Sequence, residues 1–245
     1  MKKMENRPLL LMLILMLAVG QMAQTIYVPA MAEMADALNV HDGTLQRVMA
    51  AYLMTYGGSQ LIYGPLSDSI GRRPVILAGM TIFMIGAVTA MLAPSLNVLV
   101  LGSAIQGLGT GVAGVMARTM PRDLYAGVAL RQANSLLNMG LLVSPLLAPV
   151  IGALLTKLFG WHACFAFLLL LCVAVTGAMM RWLPETRPQG GEVTPFFRRY
   201  QRLLRDASFV RFIVLLIGAL VSALLSVCVS GALFSSCLLT LLSAC

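Results

Sequence analysis

Six stretches of the chain contain no Asp, Glu, Lys or Arg and consist mainly of apolar residues. They cover residues 8–32, 48–67, 74–117, 132–156, 158–180 and 212–245. A helix that crosses a lipid bilayer needs about 20 predominantly apolar residues. Every stretch meets this length, and the third is long enough for two helices. The pattern therefore predicts an all-α, polytopic transmembrane helical bundle with seven spans.

Turn residues and charged residues between these stretches divide the chain into three parts. Six helices are predicted near residues 9–31, 45–66, 74–93, 98–116, 133–158 and 164–183. Their short connections favour one N-terminal bundle over residues 1–183. Residues 184–210 predict a cytoplasmic linker with a basic amphipathic helix. The stretch begins with polar residues, prolines and a Gly-Gly pair. Arginines then alternate with aromatic and aliphatic residues, as in a helix on a membrane surface. Residues 211–245 form a seventh hydrophobic segment whose sequence indicates a truncated or aberrant C-terminus.

Composition and the placement of charge fit a membrane protein. Apolar residues make up 59% of the chain and charged residues 11%, whereas soluble domains carry roughly 25% charged residues. If the N-terminus is cytoplasmic, only Arg47 and Lys157 among the 17 basic residues face outward. Basic residues are retained on the inner side of membranes, so the net charge of +8 requires no nucleic-acid partner. We expect a multi-pass protein with a cytoplasmic N-terminus.

The sequence offers little for catalysis or metal binding. Its five cysteines form no Cys-x-x-Cys pair, and it contains neither an HExxH nor a GxSxG motif. His41 and His162 lie near predicted membrane boundaries without ligand partners. We expect no catalytic residue, no metal and no cofactor, and we interpret the chain as a protein other than an enzyme.

One glycine cluster matches a nucleotide-binding pattern. Gly109, Gly111 and Gly114 fit Gly-x-Gly-x-x-Gly, but that pattern binds a dinucleotide only between a strand and a helix N-terminus. Here it lies inside a predicted span. Gly107 and Gly111 are four residues apart on one helix face, and small residues let membrane helices approach closely. The cluster therefore predicts helix packing.

Residues 64–73, between the second and third predicted helices, read Gly-Pro-Leu-Ser-Asp-Ser-Ile-Gly-Arg-Arg. An aspartate beside arginines favours charge-assisted hydrogen bonds, and a glycine permits a tight turn. The stretch resembles the Gly-xxx-Asp-Arg-x-Gly-Arg-Arg loop of the major facilitator superfamily, with Ser69 in place of the first arginine. The resemblance implies a conformational loop motif made of Gly64, Asp68, Gly71, Arg72, Arg73 and, after the fourth helix, Arg118.

Further segments are similar to the drug:proton antiporter branch of that superfamily. Residues 117–123 (Ala-Arg-Thr-Met-Pro-Arg-Asp) follow the fourth predicted helix, and residues 183–186 (Leu-Pro-Glu-Thr) close the sixth. Ser144 stands where the antiporter pattern of the fifth helix usually has glycine. That pattern resembles the residues Gly140, Ser144, Pro145 and Pro149.

The resemblance implies a fold and a function. The fold would be the N-terminal six-helix half of a major facilitator fold plus a seventh helix, in a bacterial inner membrane. The function would be secondary active transport that exports lipophilic or amphipathic drugs by proton antiport. The implied partners are the lipid bilayer, lipophilic small molecules and protons, and the missing C-terminal half is expected for full function. The alternative is a non-transporting truncated half that associates with itself.

Polar residues inside the predicted spans form stripes on four helices. Polar groups within a bilayer are costly and usually face a partner helix or a wet cavity. Hydrogen bonding between helices is the alternative for any single residue, but four stripes favour a shared substrate cavity. Its predicted lining residues are Gln21, Gln24, Thr25, Tyr52, Tyr56, Gln60, Tyr63, Gln106, Thr110, Asn134 and Asn138. Since no Asp or Glu lies deep in a span, we expect this cavity to carry no charge.

Overall fold

The computed structural model describes residues 7–183 and residue 211, and it contains no strand in this part of the chain. The chain divides into two compact units, Met1–Gly191 and Glu192–Cys245, and the seven helices belong to the first. They are α1 (Arg7–Thr25), α2 (Met31–Leu38), α3 (Gln46–Ile70), α4 (Arg72–Met91), α5 (Leu96–Leu124), α6 (Gly127–Phe159) and α7 (His162–Trp182). Short 3-10 turns at Val28–Ala30 and Asp42–Leu45 precede α2 and α3.

The prediction of an all-α transmembrane bundle is confirmed. Within the described residues, five helical segments are long and apolar enough to cross a membrane: Pro8–Leu38, Arg72–Met91, Leu96–Leu124, Gly127–Phe159 and His162–Trp182. The second predicted span, near residues 45–66, corresponds to α3, which has 25 residues and is not among these five segments. Its tyrosine, glutamine, serine and glycine residues make it less apolar than the other long helices. The predicted linker and, apart from Arg211, the predicted seventh segment lie outside the described residues.

Helices α3 and α5 extend beyond the predicted ends, which were placed at the first charged or turn residues. Helix α3 continues to Ile70, and Gly71 alone separates it from α4. Gly71 has a φ of 119°, a backbone conformation that side chains other than glycine rarely adopt. Helix α5 runs through Pro121 to Leu124 instead of ending near residue 116. Charged residues are compatible with these longer helices because their side chains pair or extend toward water at the helix ends.

Helix α5 packs between α3 and α4 through glycines on two of its faces. Toward α4, a Cβ atom at Gly102 would lie 2.6 Å from the backbone nitrogen of Ala90. Toward α3, a Cβ atom at Gly107 or Gly111 would collide with Thr55 or Ser59. The close approach of backbones confirms the packing interpretation of the glycine cluster.

Helix α6 packs against α1 through a stripe of small residues, Gly140, Ser144, Ala148 and Gly152, spaced four apart. A Cβ atom at Gly140 would lie 2.7 Å from Cγ2 of Ile14, and one at Gly152 would collide with the carbonyl oxygen of Ile26. The hydroxyl of Ser144 donates to the carbonyl of Gly140 at 2.6 Å. Helix α6 continues as one helix through Pro145 and Pro149.

Candidate functional site

A buried arginine, Arg72, joins the ends of α3 and α5 to the start of α4. Nη1 of Arg72 donates to Oδ1 of Asp68 at 2.5 Å and to Oγ of Ser67 at 2.6 Å. Its Nε donates to Oδ2 of Asp123 at 3.2 Å. The Arg72 side chain is only 6% exposed, and a buried guanidinium is tolerated when carboxylates and other acceptors surround it. Arg72 therefore fixes the start of α4 to the ends of α3 and α5.

Two neighbours extend this inner cluster. Nη2 of Arg73 donates to the carbonyl of Met180 at 2.6 Å, which attaches the start of α4 to the end of α7. The hydroxyl of Ser67 donates to the carbonyl of Gly64 at 2.8 Å, within the last turns of α3. The loop motif thus forms a network of hydrogen bonds between helix ends.

Arg118, which the sequence grouped with this loop, has a different environment. Five residues turn an α-helix by about 140° beyond a full turn, so Arg118 and Asp123 lie on different sides of α5. Arg118 lines a cavity instead of joining Arg72 and Asp68. The rotation of α5 about its axis determines which way Arg118 faces, and the spacing of the motif in the sequence does not reveal that rotation.

This cavity lies between α1, α3, α5 and α6 and has a volume of about 220 Å³. Three of the predicted substrate residues line it: Tyr56, Asn134 and Asn138. Its other lining residues are Leu17, Gly114, Ala117, Arg118, Arg122, Leu137 and Leu141. The expectation of an uncharged cavity is wrong, because two arginines from the last turns of α5 contribute to the wall.

Tyr56 occupies a central position on the cavity wall. Its hydroxyl interacts with the side chains of Gln21 from α1 and Gln60 from α3. A Cβ atom at Gly114 would lie 2.8 Å from this hydroxyl, so the absence of a side chain at residue 114 leaves room for the phenol. Gln21 and Gln60 therefore contact a lining residue without lining the cavity themselves.

The remaining part of the predicted aromatic stripe makes helix contacts. The hydroxyl of Tyr52 donates to the carbonyl of Gly20 at 2.7 Å and lies 2.8 Å from the hydroxyl of Thr110. These bonds join α1, α3 and α5 at one point, and Tyr52 is 1% exposed. Gln24 interacts with the Tyr52 hydroxyl, and Tyr63 is buried further along α3. Tyr52 and Thr110 therefore form a hydrogen bond between helices, which was the alternative to lining a cavity, and they do not line the cavity.

Two predicted residues contain buried polar atoms with no hydrogen-bond partner among the described residues. They are Oγ1 of Thr25 and Nε2 of Gln106. Gln106 packs against α4, because a Cβ atom at Gly86 would lie 2.9 Å from its Cγ. The roles assigned to Thr25 and Gln106 in substrate binding stay predictions.

Two of the lining features could have been recognised from the sequence. Arg118 and Arg122 are four residues apart on α5, as Asn134 and Asn138 are on α6, and such pairs share a helix face. The apolar lining residues gave no signal, since aliphatic residues occur on every face of these helices. Among the described residues, no group of histidine, cysteine and acidic side chains is arranged to hold a metal ion.

Long apolar helices, four of which surround a cavity that mixes aliphatic, amide, phenol and guanidinium side chains, are typical of a membrane protein of the transporter class. The chain belongs to the Major Facilitator Superfamily, whose family model matches residues 13–244. It is 56% identical over 238 residues to Multidrug resistance protein D of Escherichia coli (strain K12). That match covers 97% of this chain but 60% of the relative.

Solved structures support the same assignment. The structure of the multidrug transporter EmrD from Escherichia coli is similar with a TM-score of 0.52 at 59% identity, over 86% of this chain and 56% of that one. The human organic anion transporter MFSD10 shares the fold with a TM-score of 0.62 at 20% identity, over 79% of this chain and 52% of that one. The chain therefore spans little more than half the length of these relatives.

Proposed function

We propose that this chain contributes the N-terminal half of a proton-coupled exporter of lipophilic or amphipathic compounds in a bacterial inner membrane. The observation that carries the proposal is the cavity between α1, α3, α5 and α6, which combines aliphatic walls with amide, phenol and guanidinium groups. Ligand sites of this kind are mostly apolar with a few placed polar groups. The relative with 56% identity is a multidrug resistance protein, which supports export as the direction.

Cargo would lie against Tyr56, with the amides of Asn134 and Asn138 on the opposite wall. Leu17, together with the aliphatic residues of α6, would supply apolar contact. Gln21 and Gln60 would adjust the wall through their contacts with Tyr56. Gln24, Thr25 and Gln106 are proposed to contact the cargo further out along its route through the bundle.

The inner network around Arg72 is proposed to hold one conformation of the bundle. Secondary transporters expose a central site alternately to each side by rocking one bundle against another. Breaking and remaking charged contacts at helix ends suits such a device, because charge-assisted hydrogen bonds are strong but geometrically specific. The N-terminus would be cytoplasmic, which places Arg72, Arg73 and Asp68 on the inner face.

Residues 1–183 are proposed as the transmembrane bundle, residues 184–210 as a cytoplasmic linker and residues 211–245 as a further hydrophobic segment. Because the matched relative is longer than this chain, export would need the remainder of the family fold. A second candidate follows from the same observation: the chain is a half that does not transport and associates with itself.

Dye retention in an efflux-deficient bacterial host separates the two candidates. We would express the chain alone, and also joined to the remaining part of the Escherichia coli relative, and follow dye loss with and without an uncoupler. We expect energy-dependent extrusion from the joined protein only. Tyr56→Ala should abolish that extrusion, whereas Thr81→Ala, an exposed residue of α4 that bonds only within its helix, should preserve it. An inactive joined protein that is inserted and folded would contradict the exporter proposal.

A further inference from the structure

Three polar atoms buried inside the bundle have no hydrogen-bond partner in the part of the chain that the structure describes. They are Oη of Tyr27, just after α1, and Oγ of Ser103 and Nε2 of Gln106, both in α5. Tyr27 is 2% exposed, and the two residues of α5 are each 1% exposed. Because the described helices already enclose these side chains, a further segment packed against the outside of the bundle would not reach them. Buried polar groups almost always have a partner, either protein or ordered water.

The backbone places the three residues at one level of the bundle. A Cβ atom at Gly20 would lie 3.3 Å from Cβ of Thr110, so α1 and α5 are in contact there. The two helices are antiparallel, since α3 and α4 cross the bundle between them in sequence. Tyr27 follows Gly20 by seven residues and Ser103 precedes Thr110 by seven, so both lie about 10 Å from this contact toward the same end. Gln106 lies one turn from Ser103, on the side of Thr110.

The unpartnered atoms also face one another. Ser103, Gln106 and Thr110 share one face of α5, and Thr110 on that face contacts α1. The hydroxyl of Tyr27 is near enough to the hydroxyl of Tyr52 for the two to interact electrostatically, and the Tyr52 hydroxyl is 2.8 Å from that of Thr110. The three atoms therefore point into the space between α1 and α5, beyond the Tyr52–Thr110 bond toward the start of α5.

Ser103 differs from other buried hydroxyl residues of these helices. Ser59 and Ser144 each donate to a carbonyl of the preceding turn, which is the usual arrangement of a serine inside a helix. The hydroxyl of Ser103 makes no such bond. Its surroundings are apolar, with Leu99 and Phe165 both 0% exposed. A hydroxyl in such surroundings needs a hydrogen-bond partner nearby, because burial without one is costly.

We propose that this space binds an ordered water molecule that joins α1 to α5. The water accepts a hydrogen bond from Nε2 of Gln106, and the hydroxyls of Tyr27 and Ser103, which can each donate or accept, complete its set. Buried waters typically make about three hydrogen bonds to otherwise unsatisfied groups, which matches the three atoms present. None of these three residues lines the cavity around Tyr56. The inference goes beyond the proposed function, and it concerns the protein without cargo.

Radiolytic labelling of the purified full chain in detergent tests the inference. X-ray pulses convert bound water into hydroxyl radicals that oxidise the adjacent side chains, and mass spectrometry of the peptides locates the oxidation. We expect oxidation of Tyr27 although it is buried. Met179, which is 0% exposed near the end of α7, is the internal control, since methionine is readily oxidised and should stay unlabelled here. An unlabelled Tyr27, or equal labelling of Tyr27 and Met179, would overturn the proposal.

Variants test whether these groups hold the water. Ser103→Ala with Gln106→Leu leaves one partner, which is too few to retain a buried water, so the oxidation of Tyr27 should be lost. Ser103→Ala alone, the smaller change, should reduce it. Ser59→Ala, which removes a buried hydroxyl bonded within its own helix, is the matched control and should leave it unchanged.

Oxidation of Tyr27 at the wild-type level in the folded double variant would overturn the proposal, and so would its equal loss in Ser59→Ala. Unfolding of a variant would be recognised by labelling of Met179, and the wild-type comparison of Tyr27 with Met179 decides the question without any variant. Because the labelling is measured without cargo or transport, this inference and the proposed function can fail separately.

Discussion

Nε of Arg72 lies 3.2 Å from Oδ2 of Asp123, so the first residue of α4 is tied to the last turn of α5 across 51 positions of sequence. The two side chains are 6% and 14% exposed. Because water has little access, the carboxylate of Asp123 depends on Arg72 for its stabilisation, whereas Arg72 is also paired with Asp68. The Arg72–Asp123 pair therefore holds the start of α4 against the end of α5.

Removing the charge of Arg72 and removing that of Asp123 should both lower the free energy of unfolding of the bundle, but by different amounts. Breaking a buried ion pair costs about 3–5 kcal/mol when one charge is left without a partner. Asp123→Asn leaves Arg72 bonded to Asp68 and should cost about 1 kcal/mol, whereas Arg72→Gln removes the bonds to Asp68, Ser67 and Asp123 together and should cost more. Thermal unfolding of the purified chain, followed by circular dichroism, gives the order. An Arg72→Gln variant as stable as Arg181→Gln would contradict this role.

The hydroxyl of Tyr52 should matter far more than the hydroxyl of Tyr63. Tyr52→Phe removes its contacts with Gly20 and Thr110 and should cost about 0.6–2 kcal/mol, the range for interhelical hydrogen bonds in membranes. Tyr63 is also buried in α3, but its hydroxyl makes no hydrogen bond to the described residues, so Tyr63→Phe is the matched control. A double-mutant cycle with Thr110→Val measures the coupling. Equal effects of the two phenylalanine variants would show that the Tyr52 bonds contribute nothing.

Alanine at Gly109 and at Gly57 should have opposite effects. A Cβ atom at Gly109 would collide with the backbone of Phe83 and lie 2.7 Å from its Cα, whereas a Cβ atom at Gly57 has open space around it. Gly109→Ala should force α4 and α5 apart and reduce the yield of monodisperse protein. Gly57→Ala should raise the unfolding temperature slightly, because alanine favours a helix over glycine by about 0.5–1 kcal/mol.

Gel filtration and thermal unfolding of both glycine variants provide the measurement. A Gly109→Ala protein with the yield and unfolding temperature of the wild type would contradict the close packing of α4 against α5.

The sequence predicted the helices well because lipid imposes long stretches without charge, and such stretches are visible without any knowledge of packing. It misplaced the ends of α3 and α5, since Asp68 and Asp123 belong to the helices and find partners only through Arg72. Tyr56, Asn134 and Asn138 line the cavity, but the substrate-binding roles assigned to them stay predictions. Arg122 was missed, although its spacing from Arg118 places both residues on one face of α5.

Glu33 should stabilise the bundle by accepting a hydrogen bond at the N-terminus of α7. Its Oε1 accepts a hydrogen bond from the backbone N–H of Trp161 at 3.1 Å, which attaches α2 to the start of α7. A negative charge at a helix N-terminus contributes about 0.3–1 kcal/mol at an exposed site. Glu33→Ala should therefore lower the unfolding temperature, and Glu33→Gln should lower it less because an acceptor oxygen remains.

Asp36 on the same helix is the control for Glu33, since it is also exposed and its carboxylate makes no hydrogen bond or salt bridge to the described residues. Asp36→Ala should leave the unfolding temperature unchanged. The difference in unfolding temperature between the wild type and Glu33→Gln should shrink as salt is added, because salt screens exposed charges. If Asp36→Ala lowered the unfolding temperature as much as Glu33→Ala, the stabilisation by Glu33 would be an effect of the net charge of α2. The bond to Trp161 would then have no measurable part in holding α2 against α7.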